Sequence, residues 1–189
     1  MKDSDNDAIT MWAAQTQIVL DTIERDGVSY VKREYIDKKY GEVAWIFKTA
    51  YNFFIPRFQA KVEKPAQAES PVWLYRDPKW GGNNSGVVFM KLEIPADQIV
   101  FFDLRKWSEV LNLDFIGTEQ EKKVFENELK SQGIYDAMEI FTKPFYPMLK
   151  RKVMKSWEKI FDIEGTEEQY LQGAVWCLKK EWICEIVKD

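Results

Sequence analysis

The sequence predicts an α+β fold, with a mainly antiparallel or mixed sheet and helices set between its N- and C-terminal strands. Three observations lead there. Strand-like runs occur near both ends of the 189-residue chain and again in its middle. Their spacing lacks the regular strand–helix alternation of a parallel doubly wound sheet. Residues 104–162 read as helical almost throughout. The length fits one domain spanning 1–189, with that helical stretch as an insertion at about 104–162.

The elements follow in order. "AITMWAAQT" (8–16) is a short apolar run suited to a strand or its exit, with Gln15 and Thr16 then starting a helix. "QIVLDTIERDG" spaces Ile18, Leu20 and Ile23 in near-helical fashion and stops at Gly27, a natural left-handed terminator. "VSYVKREYI" (28–36) alternates weakly and reads as a strand or an approach loop. A second helix is expected over 41–58, limited by Pro56. A polar loop (61–70) precedes the strand "PVWLYRD" (71–77), and "PKWGGNNSG" (78–86) is a turn cluster. "VVFMKLEIP" (87–95) and "IVFFD" (99–103) read as an antiparallel pair, after which a helix begins beyond Asp103. Thr118 and Glu121 have capping-box spacing, and Pro144 and Pro147 interrupt the helical pattern that follows. "YLQGAVWCLK" and "EWICEIV" form the last two strands.

Composition removes several function classes. The formal charge of −4 lacks the basic footprint of a dedicated nucleic-acid binder. No apolar run has membrane-spanning length, and the polar, acidic start has no signal-peptide pattern, so a cytoplasmic protein is expected. Cys177 and Cys184 are too few for a disulfide framework and lack zinc spacing. The chain has no histidine, which excludes Ser–His and Cys–His nucleophiles and His-based metal sites. No metal is expected, and any catalysis falls to carboxylates, Tyr, Lys, Arg or positioning alone.

Among candidate groups, Gln172 shares a strand face with Ala174, Trp176 and Leu178. If that face lines a cleft, Gln172 offers an amide and Trp176 an aromatic plane to a ligand; if it faces core, Gln172 is a hydrogen-bonded edge residue. Arg76 at a strand exit is the best anion-binding candidate, with Asp77 as a neutralising neighbour. Glu167 and Glu168 precede the penultimate strand as paired acids, and Cys177 reads as a small buried hydrophobe. "GGNNSG" is glycine-rich but joins two strands instead of opening a helix, so it reads as a hairpin loop and not a phosphate cradle. Aromatics make up 15% of residues, enough to fill a core and line a surface; together with the basic run 150–159 they suggest the alternative of a non-catalytic module that docks a protein partner.

Two resemblances follow from these motifs. "MWAAQTQIVLDTIERDGV", "PVWLYRD", "VVFMKLEIPADQIVFFDLRKWSEVLN", "SWEKIFDI" and "LQGAVWCLKKEWICEI" resemble a bacterial family of unknown function. Its members open with a Leu-Trp-Thr-Ile-Gln-type strand and close on a Gln-x-x-x-Trp strand. The order of a first strand, a helix ending at Gly27, an I-P-x-D turn and a final Gln-led strand pair also resembles the ADP-ribosyltransferase-like fold. That resemblance implies NAD or a related nucleotide as ligand. It places Trp12 or Ala13 where a His or Arg would hold NAD, and Gln172 near the position of a ribose-activating acid, with Glu168 four residues upstream. Both main positions depart from that pattern. The implied nucleotide contacts are Trp12, Gln15, Thr16, Arg76 and Trp176, with Gln172 and Glu168 as the catalytic candidates.

Overall fold

The computed structural model describes residues 7–82 and 86–188; the chain start expected to fray (1–6) and the centre of the glycine-rich turn (83–85) lie outside the described residues. Strand β1 (Ala8–Thr16) buries Met11 and Ala13 and leaves the alternate side chains Trp12 and Ala14 half-exposed. It is a full strand up to Thr16, which occupies the N-cap position of α1 (Gln17–Asp26) without a side-chain capping bond. Gly27 ends α1 with φ 79°, its N–H donating to the Ile23 carbonyl at 2.9 Å, as the sequence predicts.

The stretch read as a strand or approach loop (28–36) is that up to Arg33 and turns helical from Glu34. After β2 (Val28–Ser29), α2 (Glu34–Tyr40) forms and packs on α3 (Ala44–Gln59) through a Tyr40–Phe47 stack at 3.5 Å. Tertiary contact, and not local pattern, makes α2 helical. Pro56 does not end α3, which runs to Gln59 because Phe53, Phe54 and Phe58 bury its last turns. The Phe58 anchor lies beyond the proline and outweighs the missing backbone donor.

The remaining strands are β3 (Val72–Tyr75), β4 (Val87–Pro95), β5 (Val100–Asp103), β6 (Leu171–Val175), β7 (Leu178–Lys179) and β8 (Ile183–Lys188). Six of the eight strands among the described residues form one sheet in the order β5-β6-β3-β1-β4-β8, with every pairing antiparallel, and β2 with β7 forms a separate ribbon. The fold is therefore α+β. Pairing strength is uneven. β1 and β4 share nine register pairs, whereas β1 and β3 meet at a single one, Trp12↔Tyr75.

Between β5 and β6 run α4 (Leu104–Leu111), α5 (Glu119–Ser131), α6 (Glu139–Thr142) and α7 (Pro147–Ser156), then a 3-10 turn, Trp157–Phe161. Thr118 and Glu121 form the expected capping box. These helices and α3 cover one face of the sheet over Val100, Phe102 and Ala174. The opposite face packs Met11, Leu74, Met90 and Val175 against Leu20 and Ile23 of α1. No helix among the described residues is long and apolar enough to cross a membrane.

Candidate functional site

Register places six side chains, one from each strand, in a single row across the helix-covered face: Phe102, Gln172, Tyr75, Trp12, Lys91 and Glu185. Directly opposed residues on neighbouring strands project from the same face. The row runs from sealed to open. Phe102 is 0% and Gln172 3% exposed, Tyr75, Trp12 and Lys91 are half-buried, and Glu185 is exposed. Gln172 and Trp12 thus lie on one side of the sheet, with Tyr75 between them, roughly 10 Å apart at two strand spacings.

Gln172 stands out within the row. Its Oε1 is buried and has no hydrogen-bond partner among the described residues. Native interiors rarely leave an amide oxygen in that condition, because the lost hydration is not replaced. Behind it, Tyr51 accepts a hydrogen bond from the Trp73 indole N–H at 2.9 Å. Burial pushes the Tyr51 phenol far above its ordinary value despite that bond. Burial also raises the Tyr75 phenol, and the neighbouring Tyr40 phenol adds to the effect. All these rings are neutral donors or acceptors at physiological pH, so the positive charge in the row comes from Lys91.

The loops beside the row carry polar and aromatic groups. Arg76, just past β3, donates to the Thr10 carbonyl at 2.8 Å and pairs with Glu168 at 2.9 Å. Asp77 is not its partner: Asp77 instead pairs with Lys79 at 2.8 Å. Glu168 is exposed, and its carboxylate is paired with Arg76. The turn Pro78–Gly81 folds back over β1, where a Cβ on Gly81 would come within 2.7 Å of both the Ala14 Cβ and a Phe89 ring carbon. Its Trp80 faces Tyr170 at 5.7 Å, and Arg105 lies over the Tyr170 ring at 4.5 Å. Arg105 in turn holds the buried Asp103, which also accepts from the Thr166 hydroxyl at 3.1 Å.

Several expected contacts fall elsewhere. Trp176 lies beyond the end of β6, stacks on Phe58 at 4.0 Å and donates its N–H to the Val62 carbonyl, so its ring is committed to the core. The chain kinks there, and Leu178 joins Val175 and Cys177 on the opposite face from Gln172, against the strict alternation expected. Gln15 alternates with Trp12 and so lies on the Met11 side of β1. Thr16 shares Trp12's face, one full turn of the pleat beyond Ala14 and exposed. Cys177 is buried, and burial raises its thiol, which suits the hydrophobic reading. Sequence reasoning missed Tyr75 and Lys91. A lone lysine inside the apolar run "VVFMKLEIP" was the available signal for the second.

The row therefore brings together Trp12 and Gln172, adds Tyr75 and Lys91, and leaves Arg76 and Glu168 paired at its edge. Among the described residues, no cluster of three His, Cys, Asp or Glu could hold a metal ion. No curated protein and no solved structure matches the chain. One family, described as "Domain of unknown function (DUF3841)", matches residues 10–184. With the match covering nearly the whole sequence, the chain belongs to that family, DUF3841.

Proposed function

We propose that this protein binds a nucleotide of the NAD or ADP-ribose type on the Trp12–Tyr75–Gln172 row, as a divergent relative of the ADP-ribosyltransferase-like fold. One observation supports the reading: the buried Gln172 Oε1 lacks a donor among the described residues, and it lies in one row with the half-exposed Trp12 indole, through Tyr75, across a junction of a single register pair. A ligand hydroxyl or carboxamide N–H would supply that donor, after the Tyr75 ring turns aside. Trp12 would offer a ring face to a planar base, and Lys91, next to it in the row, would meet a phosphate.

NAD would bring a labile bond between ribose and nicotinamide. Gln172 carries no charge to stabilise a cation developing at that ribose, and the carboxylate of Glu168 is exposed and neutralised by Arg76. The residues present suit holding the nucleotide better than accelerating its cleavage, so binding is the proposed activity and any transfer would be slow.

Thermal shift and isothermal calorimetry with NAD and ADP-ribose test this. Ligand at about 100 times Kd stabilises the native state by ~2.7 kcal/mol. The melting temperature should rise in wild type and stay flat in Trp12→Ala. No rise with either nucleotide at millimolar concentration refutes the reading. A second reading, docking of a protein partner, concerns the α6–α7 surface and draws on none of these residues.

A further inference from the structure

Away from the sheet, α6 and α7 border two adjoining concavities. One, of about 400 Å³, is lined by Ile140, Phe141, Tyr146 and Lys143; the other, of about 390 Å³, by Phe53, Met154, Arg151 and Lys155. Pro147 and Lys150 line both, so the two adjoin on either side of these residues and together make a channel-like surface beside α7. The inner side of that helix, Leu149 and Val153, is buried in the core.

Two features separate this channel from an ordinary solvated helix face. The first is uncompensated charge. Most nearby cations have acidic partners: Lys143 with Glu139, Lys152 with Glu128, Lys159 with Glu121 and Arg57 with Glu158. Lys150, Arg151 and Lys155 have no carboxylate within ion-pair distance among the described residues, although the chain as a whole carries −4. The second is exposed apolar surface next to the lining residues Tyr146 and Pro147 in the chain, where Phe145 is 76% and Met148 73% exposed. Large apolar side chains clustered with unpaired cations mark interaction surfaces.

We infer that this channel docks an acidic peptide segment of a protein partner, one that carries an aromatic or aliphatic side chain between its carboxylates. Charge complementarity selects the acidic segment: Lys150, Arg151 and Lys155 have no carboxylate within ion-pair distance among the described residues, whereas Lys143 and Lys152 beside them do. Concavity selects a peptide over a bilayer. A membrane surface is matched by a convex wedge, whereas each concavity here has room for a side chain. Three free cations on one short helix are too few, and too localised, for a polyanion track such as a nucleic acid requires. This surface is independent of the nucleotide row, and either can fail without the other.

The test uses the full chain and fluorescence anisotropy. The probe is a labelled peptide of alternating Glu and Asp, with Phe at two internal positions. Matched probes replace Phe by Ala or the acids by Lys, and a poly-dT oligonucleotide and phosphatidylserine vesicles serve as competitors. The acidic Phe peptide should bind saturably. Its affinity should fall about tenfold in the triple variant Lys150→Glu, Arg151→Glu, Lys155→Glu, and should weaken with added salt. The Ala-substituted probe should bind more weakly than the Phe probe. The milder triple Lys→Gln, Arg→Gln, Lys→Gln variant should show the same direction with a smaller change. No saturable binding, binding unchanged in both triple variants, or tighter binding of the vesicles or oligonucleotide than of the peptide each overturns the assignment. Unaltered NAD-dependent melting in the variants would separate this outcome from failure of the nucleotide row.

Discussion

Replacing Gln172 by Leu should make the protein more stable and, on the proposed reading, abolish nucleotide binding. The side chain is 3% exposed, and its Oε1 has no partner among the described residues. A buried acceptor left unsatisfied costs ~1–3 kcal/mol of desolvation. Leucine has similar volume, presents no polar atom, and would pack on the fully buried Phe102 across the register pair. Allowing for an imperfect fit of the branched side chain, the net gain expected is about 1–2 kcal/mol. For a chain of this size each kcal/mol moves the melting temperature by about 2–4 °C, so a rise of ~2–8 °C should follow. Denaturant titration followed by circular dichroism measures it directly, with a higher midpoint at unchanged slope. Calorimetry on the same sample should show the loss of NAD or ADP-ribose binding. If Gln172→Leu lowers the midpoint, the amide is satisfied in solution, and the argument for an unfilled ligand contact collapses. A gain in stability with full retention of binding would show that the ligand engages some other surface.

Trp157 is fully buried, donates its N–H to the Asp114 carbonyl at 2.7 Å and meets Phe53 edge-on at 5.3 Å. Trp157→Ala should therefore lower stability by about 3–5 kcal/mol in the same titration, and Trp157→Phe by much less. Burial alone would raise the Asp103 carboxyl, but the Arg105 side chain, the Arg105 backbone N–H and the Thr166 hydroxyl outweigh it and hold the group below its usual range. A depressed folded value contributes stability above the unfolded value of about 3.9 and loses it as pH falls through the folded one. Asp103→Asn should accordingly be less stable at neutral pH and show a shallower acid limb when melting temperature is plotted against pH. Gly81→Ala forces a Cβ to within 2.7 Å of the Ala14 Cβ, a stiff contact, so the turn must shift. A loss of roughly 1–3 kcal/mol in denaturation midpoint is expected.

Local chemistry made part of the fold legible. Gly27 and the Thr118–Glu121 box act through backbone and side-chain groups a few residues apart, and both stand where the sequence puts them. α2 was not legible, because its helicity depends on partners in α3, including the Phe47 ring under Tyr40. The same distinction governs the site. Alternation within β1 sets Trp12 apart from Met11, and alternation within β6 groups Gln172 with Ala174. Neither pattern reveals that Tyr75 stands between Trp12 and Gln172, since that register joins strands dozens of residues apart in the chain. Trp176 shows the converse failure. Alternation puts it on the Gln172 face, as expected, but that face is covered there by α3, whose Phe58 stacks on its ring, and sequence shows no sign of that cover.

The solitary β1–β3 bridge has a mechanical consequence. On the α1 side, Met11, Leu74 and Met90 run continuously beneath the junction and act as a binding spine. In the ladder itself the two strands share the single pair Trp12↔Tyr75, with the Arg76 bond to the Thr10 carbonyl and the Pro78–Gly81 turn over β1 as further ties. Local opening of the sheet is therefore expected to begin at this sparsely bonded junction, at the Trp12 margin. Amide protons at this margin should exchange with solvent faster than those in the nine-pair β1–β4 ladder beside it, although both lie at the centre of the sheet.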